Sequence, residues 1–282
     1  MVLESLVNPF QAKKNPLEMF FIGALYSSVA IFLSNWIFRE QASLIMVFLT
    51  VIACVPFIYH TIKLEEEQES SLDGQKKILS EHYKTLKAFL FLFLGFVLSY
   101  SFWYIILPSS LVQSTFRVQS ITIQSVNLQI QGGFSNVSTF TQILLNNVKV
   151  LIFCVLFAFL YGVGAIFILT WNASVISTAI GNFIRTNLAF YAQKAGFEKI
   201  AAYLQIISLG LLRYLLHGIP EILAYFVAGL AGSIISVAVI KEHFGTKQFE
   251  KIVLDSSDLI LIAVLILVIA ALLEVFVTPA LF

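Results

Sequence analysis

The stretch that decides the fold is residues 205–240, which read QIISLGLLRYLLHGIPEILAYFVAGLAGSIISVAVI. As a single α-helix this apolar stretch would extend about 50 Å, which exceeds the roughly 30 Å of a membrane's hydrocarbon core. In its middle, Pro220 lacks an amide proton and clashes with the preceding turn, and Gly218 tolerates the backbone angles of a break. We therefore expect two membrane helices that meet at a break within residues 217–221.

His217 and Glu221 at this break allow two interpretations. In the first, both lie at a membrane interface beside a simple kink. In the second, they form a polar site inside the membrane, since ionisable residues at membrane depth are rare and usually face the protein interior. Glu221 would then lie in the first turn of the second helix, where the helix dipole favours a carboxylate.

The composition of the 282-residue chain is typical of a membrane protein with several spans. Hydrophobic residues make up 59% of it, charged residues 12%, and the mean hydropathy is +0.91. The net charge of +1 argues against nucleic-acid binding, which needs a basic surface. Cys54 and Cys154 lie in apolar runs, and the chain has no zinc-protease, hydrolase or phosphate-loop motif. We expect no metal, no cofactor and no enzymatic activity.

The first two apolar runs, residues 17–38 and 42–59, are joined so tightly that they predict an antiparallel hairpin. A charged segment follows, and a third span begins near Ala88. The chain is therefore divided into an N-terminal transmembrane hairpin (1–62), a charged cytoplasmic loop (63–87) and a membrane domain (88–282).

The segment 108–147 differs in kind, because Arg117 is its only charged residue. In residues 121–130, Ile, Val and Leu alternate with Thr, Gln and Asn, which is strand periodicity. Gly132 and Gly133 predict a turn. We expect a small β-rich loop outside the membrane, with Asn136 in an Asn-Val-Ser glycosylation pattern.

A second long apolar stretch, residues 148–184, is interrupted by Trp171 and Asn172. Interrupted hydrophobic segments in paired positions point to a site at the membrane midplane. The amphipathic segment between the two stretches, residues 185–205, is predicted to lie in the interface. The last span, residues 259–277, carries Glu274. Small residues at helical spacing predict close helix packing at Gly162, Gly164, Gly229 and Gly232.

The lysines orient the chain. Lys13, Lys14 and the five lysines of the charged loop lie on one side of the predicted hairpin, and the positive-inside rule makes that side cytoplasmic. The N-terminus is then cytoplasmic and the 108–147 loop external. Because residues 173–190 either cross or re-enter the membrane, six or seven membrane segments remain open.

An ordered set of motifs runs through the membrane domain. Residues 146–150 (NNVKV) come first, then Trp171 and Asn172, then residues 217–221 (HGIPE), then Glu274 shortly before Pro279. From about residue 87 onward this order resembles the stage II sporulation protein M family of integral membrane proteins. The resemblance implies a structural or binding polar cluster, formed by Asn147, Asn172, His217, Gly218, Glu221 and Glu274.

The resemblance also implies a role, because the family member of endospore-forming bacteria is the membrane scaffold of an envelope-remodelling complex. We thus expect an all-α polytopic bundle of six or seven segments with two broken helices. Its first expected function is a non-enzymatic scaffold that assembles with itself, with other membrane or envelope proteins and with lipids. The alternative is a transporter or permease-like component that moves a small solute or lipid.

Two structural features discriminate between these functions. Acidic residues in a solvent-connected cavity would favour the transporter. A dry polar cluster and a glycine-rich face exposed to lipid would favour the scaffold.

Overall fold

The computed structural model describes residues 9–71, 75–131, 136–158, 163–190, 196–240 and 245–281. These segments are almost entirely helical and contain no β-strand. Eleven α-helices are described, with a 3₁₀ turn (Arg39–Gln41) before α3 and a π-helical turn (Leu273–Val277) before α11. The helices are α1 (Pro9–Lys14), α2 (Pro16–Ile37), α3 (Ala42–Ser71), α4 (Gln75–Ile106), α5 (Ser109–Thr115), α6 (Arg117–Gln131), α7 (Asn136–Ala158), α8 (Val163–Phe190), α9 (Gly196–Ile240), α10 (Lys247–Leu272) and α11 (Thr278–Leu281).

Seven of the described segments are long and apolar enough to cross a membrane. The fold class predicted from composition, a polytopic helical membrane protein, is therefore confirmed. The seven candidate spans are Pro16–Ile37, Arg39–Glu65, His82–Ile106, Asn136–Ala158, Ala165–Phe190, Glu198–Ser236 and Phe249–Leu281.

Contacts along α8 show that it traverses the bundle. The Ser177 hydroxyl donates to the Val97 carbonyl at 3.0 Å, and Arg185 Nη1 donates to the Leu107 carbonyl at 3.0 Å, so α8 runs parallel to α4. In the opposite direction, Gly210 of α9 packs on Ile184 and Gly229 packs on Ala165. These directions, with the length of α8, fit a helix that runs the full length of the bundle and favour seven segments over six.

Helices α2 and α4 form a tight pair. A Cβ atom at Gly23 would collide with the Leu92 carbonyl, and one at Gly95 would collide with the Phe20 carbonyl, so the two backbones touch. Helix α3 joins this pair through the Tyr100 hydroxyl, which lies 2.7 Å from the Thr50 hydroxyl. The N-terminal hairpin is thereby packed against the rest of the bundle.

The predicted β-rich loop at 108–147 is wrong, because this segment forms α5, α6 and the start of α7. A helical period was present beside the alternating one: Val112, Thr115, Phe116 and Gln119 are buried at a spacing of three and four residues. Gln119 Nε2 donates to the Ser43 carbonyl at 2.9 Å and to the Ser174 hydroxyl at 3.2 Å, which fixes α6 on the bundle. The predicted turn at Gly132 and Gly133 falls outside the described residues.

The two predicted helix breaks are also wrong. Helix α9 continues through Gly218 and Pro220, since neighbouring helices shelter the backbone around a proline inside a membrane bundle. Helix α8 continues through Trp171 and Asn172, and Asn172 Nδ2 donates to the Ile168 carbonyl of its own helix at 2.9 Å. The long apolar stretch instead divides between α7 and α8, at residues 159–162, which lie outside the described residues.

The amphipathic segment 185–205 does not form a separate interfacial helix. Its first residues end α8 and its last residues begin α9, while residues 191–195 lie outside the described part of the chain. At 45 residues, α9 would be about 67 Å long if straight, so it extends beyond the hydrocarbon core.

Helices α3 and α4 run on into the predicted charged loop, as far as Ser71 on one side and from Gln75 on the other. Near the membrane-proximal end of this extension, Glu65 is buried between the helices. It pairs with Lys13 of α1, lies 2.6 Å from His82 Nδ1 and accepts a hydrogen bond of 2.5 Å from the Thr85 hydroxyl.

Candidate functional site

A cavity of about 870 Å³ lies between α3, α6, α7, α8, α9 and the π-helical turn. Its walls are largely apolar and aromatic, and its polar side chains come mainly from α7, α8 and α9. The polar and aromatic-polar lining residues are Thr122, Gln142, Asn146, Asn147, Trp171, Asn172, Tyr214, His217, Glu221 and Glu274.

The structure brings the predicted polar residues to this one cavity. Asn147, Asn172, His217, Glu221 and Glu274 all line it, although they come from four separate segments of the chain. Gly218 lies beside it: a Cβ atom there would be 3.7 Å from Ile176, another lining residue. Asn147 and His217 are the middle residues of the candidate spans Asn136–Ala158 and Glu198–Ser236, so the cavity reaches the middle of the bundle.

Helix α9 presents its polar residues on one face. Because the helix is continuous, His217 and Glu221 are one turn apart and stack on the same side, contrary to the expectation that a break would separate them. Tyr225 follows after another turn, and its hydroxyl donates to Glu221 Oε1 at 2.8 Å. His217 and Glu221 line the cavity, and the buried Tyr225 holds the Glu221 carboxyl group from behind.

The π-helical turn places Glu274. Such turns insert one residue into a helix and often occur at functional sites. The Thr278 hydroxyl donates to the Leu273 carbonyl five residues earlier, at 3.0 Å, and lies 3.3 Å from His217 Nδ1. The turn is thus linked to α9, and Glu274 lines the same cavity as Glu221.

The cavity carries acidic side chains, and some of its polar groups lack hydrogen-bond partners among the described residues. No lysine or arginine occurs among its described lining residues, while two carboxyl groups do. Arg213, one turn before His217, is directed to the Phe183 ring, 5.7 Å from the ring centroid. Asn147 is only 5% exposed, and its Nδ2 has no hydrogen-bond partner among the described residues. Glu274 likewise accepts no hydrogen bond within the described part of the chain.

Comparison with protein families identifies the chain. The model of the stage II sporulation protein M family matches residues 88–279. The chain belongs to the stage II sporulation protein M family. No curated protein and no solved structure matched it.

The family match divides the cavity into two parts. Every polar lining residue lies within the region that the stage II sporulation protein M model covers. The α3 wall, made of Phe48, Val51, Ile52 and Val55, lies outside that region. The N-terminal hairpin of this family member therefore completes a site whose polar groups are all in the family region.

The predicted helix-packing glycines of this stage II sporulation protein M family member lie inside the chain. A Cβ atom at Gly229 would be 3.3 Å from Ala165, and one at Gly232 would be 2.9 Å from Ala158. Gly164 belongs to α8, and Gly162 falls outside the described residues. Gly229 and Gly232 thus make their close contacts within one chain and form no face exposed to lipid.

Sequence reasoning missed several lining residues. Asn146 adjoins the predicted Asn147, and Gln142 precedes it by one helical turn, so a helical reading of 136–150 would have found both. Thr122 was not predicted as a lining residue because the alternation in residues 121–130 indicated a strand in place of α6. Asn136 is exposed as the first residue of α7, and its glycosylation stays a prediction.

Proposed function

We propose that this protein is a non-enzymatic, transporter-like membrane protein that binds a small solute or lipid in the acidic cavity. The observation that carries the proposal is that Glu221 and Glu274 both line a cavity of about 870 Å³ that reaches the middle of the bundle. Ionisable residues at membrane depth mark substrate or ion pathways. A cavity of this size is in the range of small-molecule sites.

Two observations make this function better supported than the scaffold. The polar side chains surround a cavity and do not form a dry cluster in which every polar group is hydrogen-bonded. The glycines that would carry self-assembly, Gly229 and Gly232, pack against α7 and α8 of the same chain.

The proposed orientation follows from the lysines and from seven crossings. Lys13 and Lys14 place the N-terminus in the cytoplasm by the positive-inside rule. Helices α5 and α6 are then external, and the segment between α9 and α10 is cytoplasmic.

The test is to find what the cavity holds. The wild-type protein and a Glu221→Gln/Glu274→Gln variant would be purified in mild detergent, and their small molecules and lipids would be extracted and identified by mass spectrometry. We expect a compound enriched with the wild-type protein and depleted about tenfold in the variant, which corresponds to about 1.4 kcal/mol of binding.

A matched control changes two exposed carboxylates outside the cavity, Glu250→Gln/Asp258→Asn, and should retain the compound. Wild-type protein that carries no enriched compound, and that forms a discrete homo-oligomer, would overturn the proposal in favour of the scaffold.

A further inference from the structure

The apolar side of the cavity opens sideways. Phe48 and Ile52 of α3 and Phe153 and Phe157 of α7 line the cavity, and each is 41–59% exposed, so this side of the cavity is not closed by packing. Helices α3 and α7 do not pack along each other in the described residues, so they flank a gap. All four side chains lie within candidate membrane spans. The gap therefore faces the hydrocarbon core of the membrane.

The gap leads from apolar to polar surroundings. At its mouth, the Phe48 ring packs on the Phe167 ring with centroids 5.0 Å apart, and Phe153 stacks on Phe157. Deeper in the cavity are Asn147, Glu221 and Glu274. An occupant that fits this gradient has an apolar chain at the mouth and a polar headgroup at the acidic end.

The charge of the acidic end selects the headgroup. Two carboxyl groups that share one cavity either take up a proton or bind a cation, and no lysine or arginine is among the described lining residues, so a cation would have to come from the occupant. The buried Asn147 Nδ2, a donor that lacks an acceptor among the described residues, indicates that the occupant also carries a hydrogen-bond acceptor beside its charged group. An ammonium group supplies both charge and hydrogen-bond donors to Glu221 and Glu274.

We infer that the cavity accepts an amphiphile with an amine-bearing headgroup, which enters from the bilayer between α3 and α7 and places its ammonium group at Glu221 and Glu274. This inference rests on the proposed function and specifies its ligand class. The carboxyl pair provides the charge selectivity, and the gap between α3 and α7 provides the route.

Trp171 is a built-in reporter, because it lines the cavity and is one of only three tryptophans. In a Trp36→Phe/Trp103→Phe background it is the sole tryptophan. Bromine on an alkyl chain quenches tryptophan fluorescence on contact, so chain-brominated dodecylamine and chain-brominated dodecyl sulfate can be compared in nanodiscs of neutral lipid.

We expect the amine to quench Trp171 at an at least tenfold lower concentration than the sulfate. Glu221→Gln/Glu274→Gln should abolish that difference, whereas Glu250→Gln/Asp258→Asn should preserve it. Equal quenching by amine and sulfate in the folded background protein would overturn the inference.

The route is tested with a bulky maleimide at the mouth. Cys54 and Cys154 are buried, so a cysteine introduced at Ile52 can be labelled selectively. Labelling Ile52→Cys should slow the onset of quenching several-fold. Labelling Leu25→Cys, at an equally exposed site on α2 away from the cavity, should leave the onset unchanged. An unchanged onset after labelling Ile52→Cys would overturn lateral access.

A competitor that carries amines but no alkyl tail separates this inference from the proposed function. If spermidine displaces the brominated amine as well as unbrominated dodecylamine does, the ligand is a water-soluble cation: the amphiphile is excluded and a solute-binding function stands. If the extraction finds no enriched compound and the amine quenches no better than the sulfate, both are overturned.

Discussion

Glu65 is a buried carboxylate with charged and hydrogen-bonding partners, whereas Glu274 has no hydrogen-bond donor among the described residues. It is 1% exposed and is held by Lys13, His82 and Thr85, which come from two different helices. Removing one partner of a buried ion pair is costly, because the other charge loses its compensation without regaining water. The cluster therefore joins α1 to the ends of α3 and α4.

Glu65→Ala should lower the free energy of unfolding by about 3 kcal/mol or more. Glu65→Gln, which keeps an acceptor oxygen but not the charge, should lower it by less. Thermal unfolding of the purified proteins in detergent measures both changes. Asp258→Ala, at an exposed carboxylate of α10, is the control and should stay within about 0.5 kcal/mol of wild type. Equal melting temperatures for Glu65→Ala and Asp258→Ala would contradict the assigned role.

At the scale of helices, glycines have different roles that their sequence context does not reveal. Gly23 and Gly95 let the backbones of α2 and α4 touch, whereas Gly218 has room for a side chain. The expectation that Gly218 provides a broken backbone was wrong, because it is an ordinary helical residue of α9.

Gly95→Ala should destabilise the protein by about 1–3 kcal/mol, because its Cβ atom would be forced against the Phe20 carbonyl and would separate α2 from α4. Gly218→Ala is the matched substitution within another helix. It should be neutral or stabilising by up to about 1 kcal/mol, since alanine favours a helix more than glycine. Thermal unfolding compares the two; a greater loss of stability for Gly218→Ala would refute this assignment.

From the sequence, the prediction of which polar residues come together was more accurate than the prediction of the helices that carry them. Apolar run lengths located the first three spans, and five of the six residues predicted for the polar cluster line one cavity. Proline and glycine propensities wrongly indicated a break at residues 217–221, since packing inside a bundle overrides local propensity. The strand reading of α6 failed because Gln119, a polar side chain, is buried there through hydrogen bonds to Ser43 and Ser174, which only the tertiary structure supplies.

At the scale of the whole molecule, the proposed orientation with seven crossings puts Asn136 outside the cell and Lys247 in the cytoplasm. Asn136→Cys should react with a membrane-impermeant maleimide in intact cells, and Lys247→Cys only after permeabilisation. Both positions are exposed, and the wild-type protein, whose two cysteines are buried, measures the background. Labelling of both positions in intact cells would indicate that α8 does not cross.

The Lys13–Glu65 pair has a consequence for biosynthesis. The two residues are 52 positions apart, so at about 5–20 residues per second Glu65 is synthesised roughly 3–10 s after Lys13. In the proposed orientation, Lys13 helps during that interval to retain the N-terminus in the cytoplasm while the first hairpin inserts. Its charge is buried against Glu65 only after α4 has been made. Lys13 thus acts first as a topological signal and later as a structural partner, whereas the exposed Lys14 keeps only the first task.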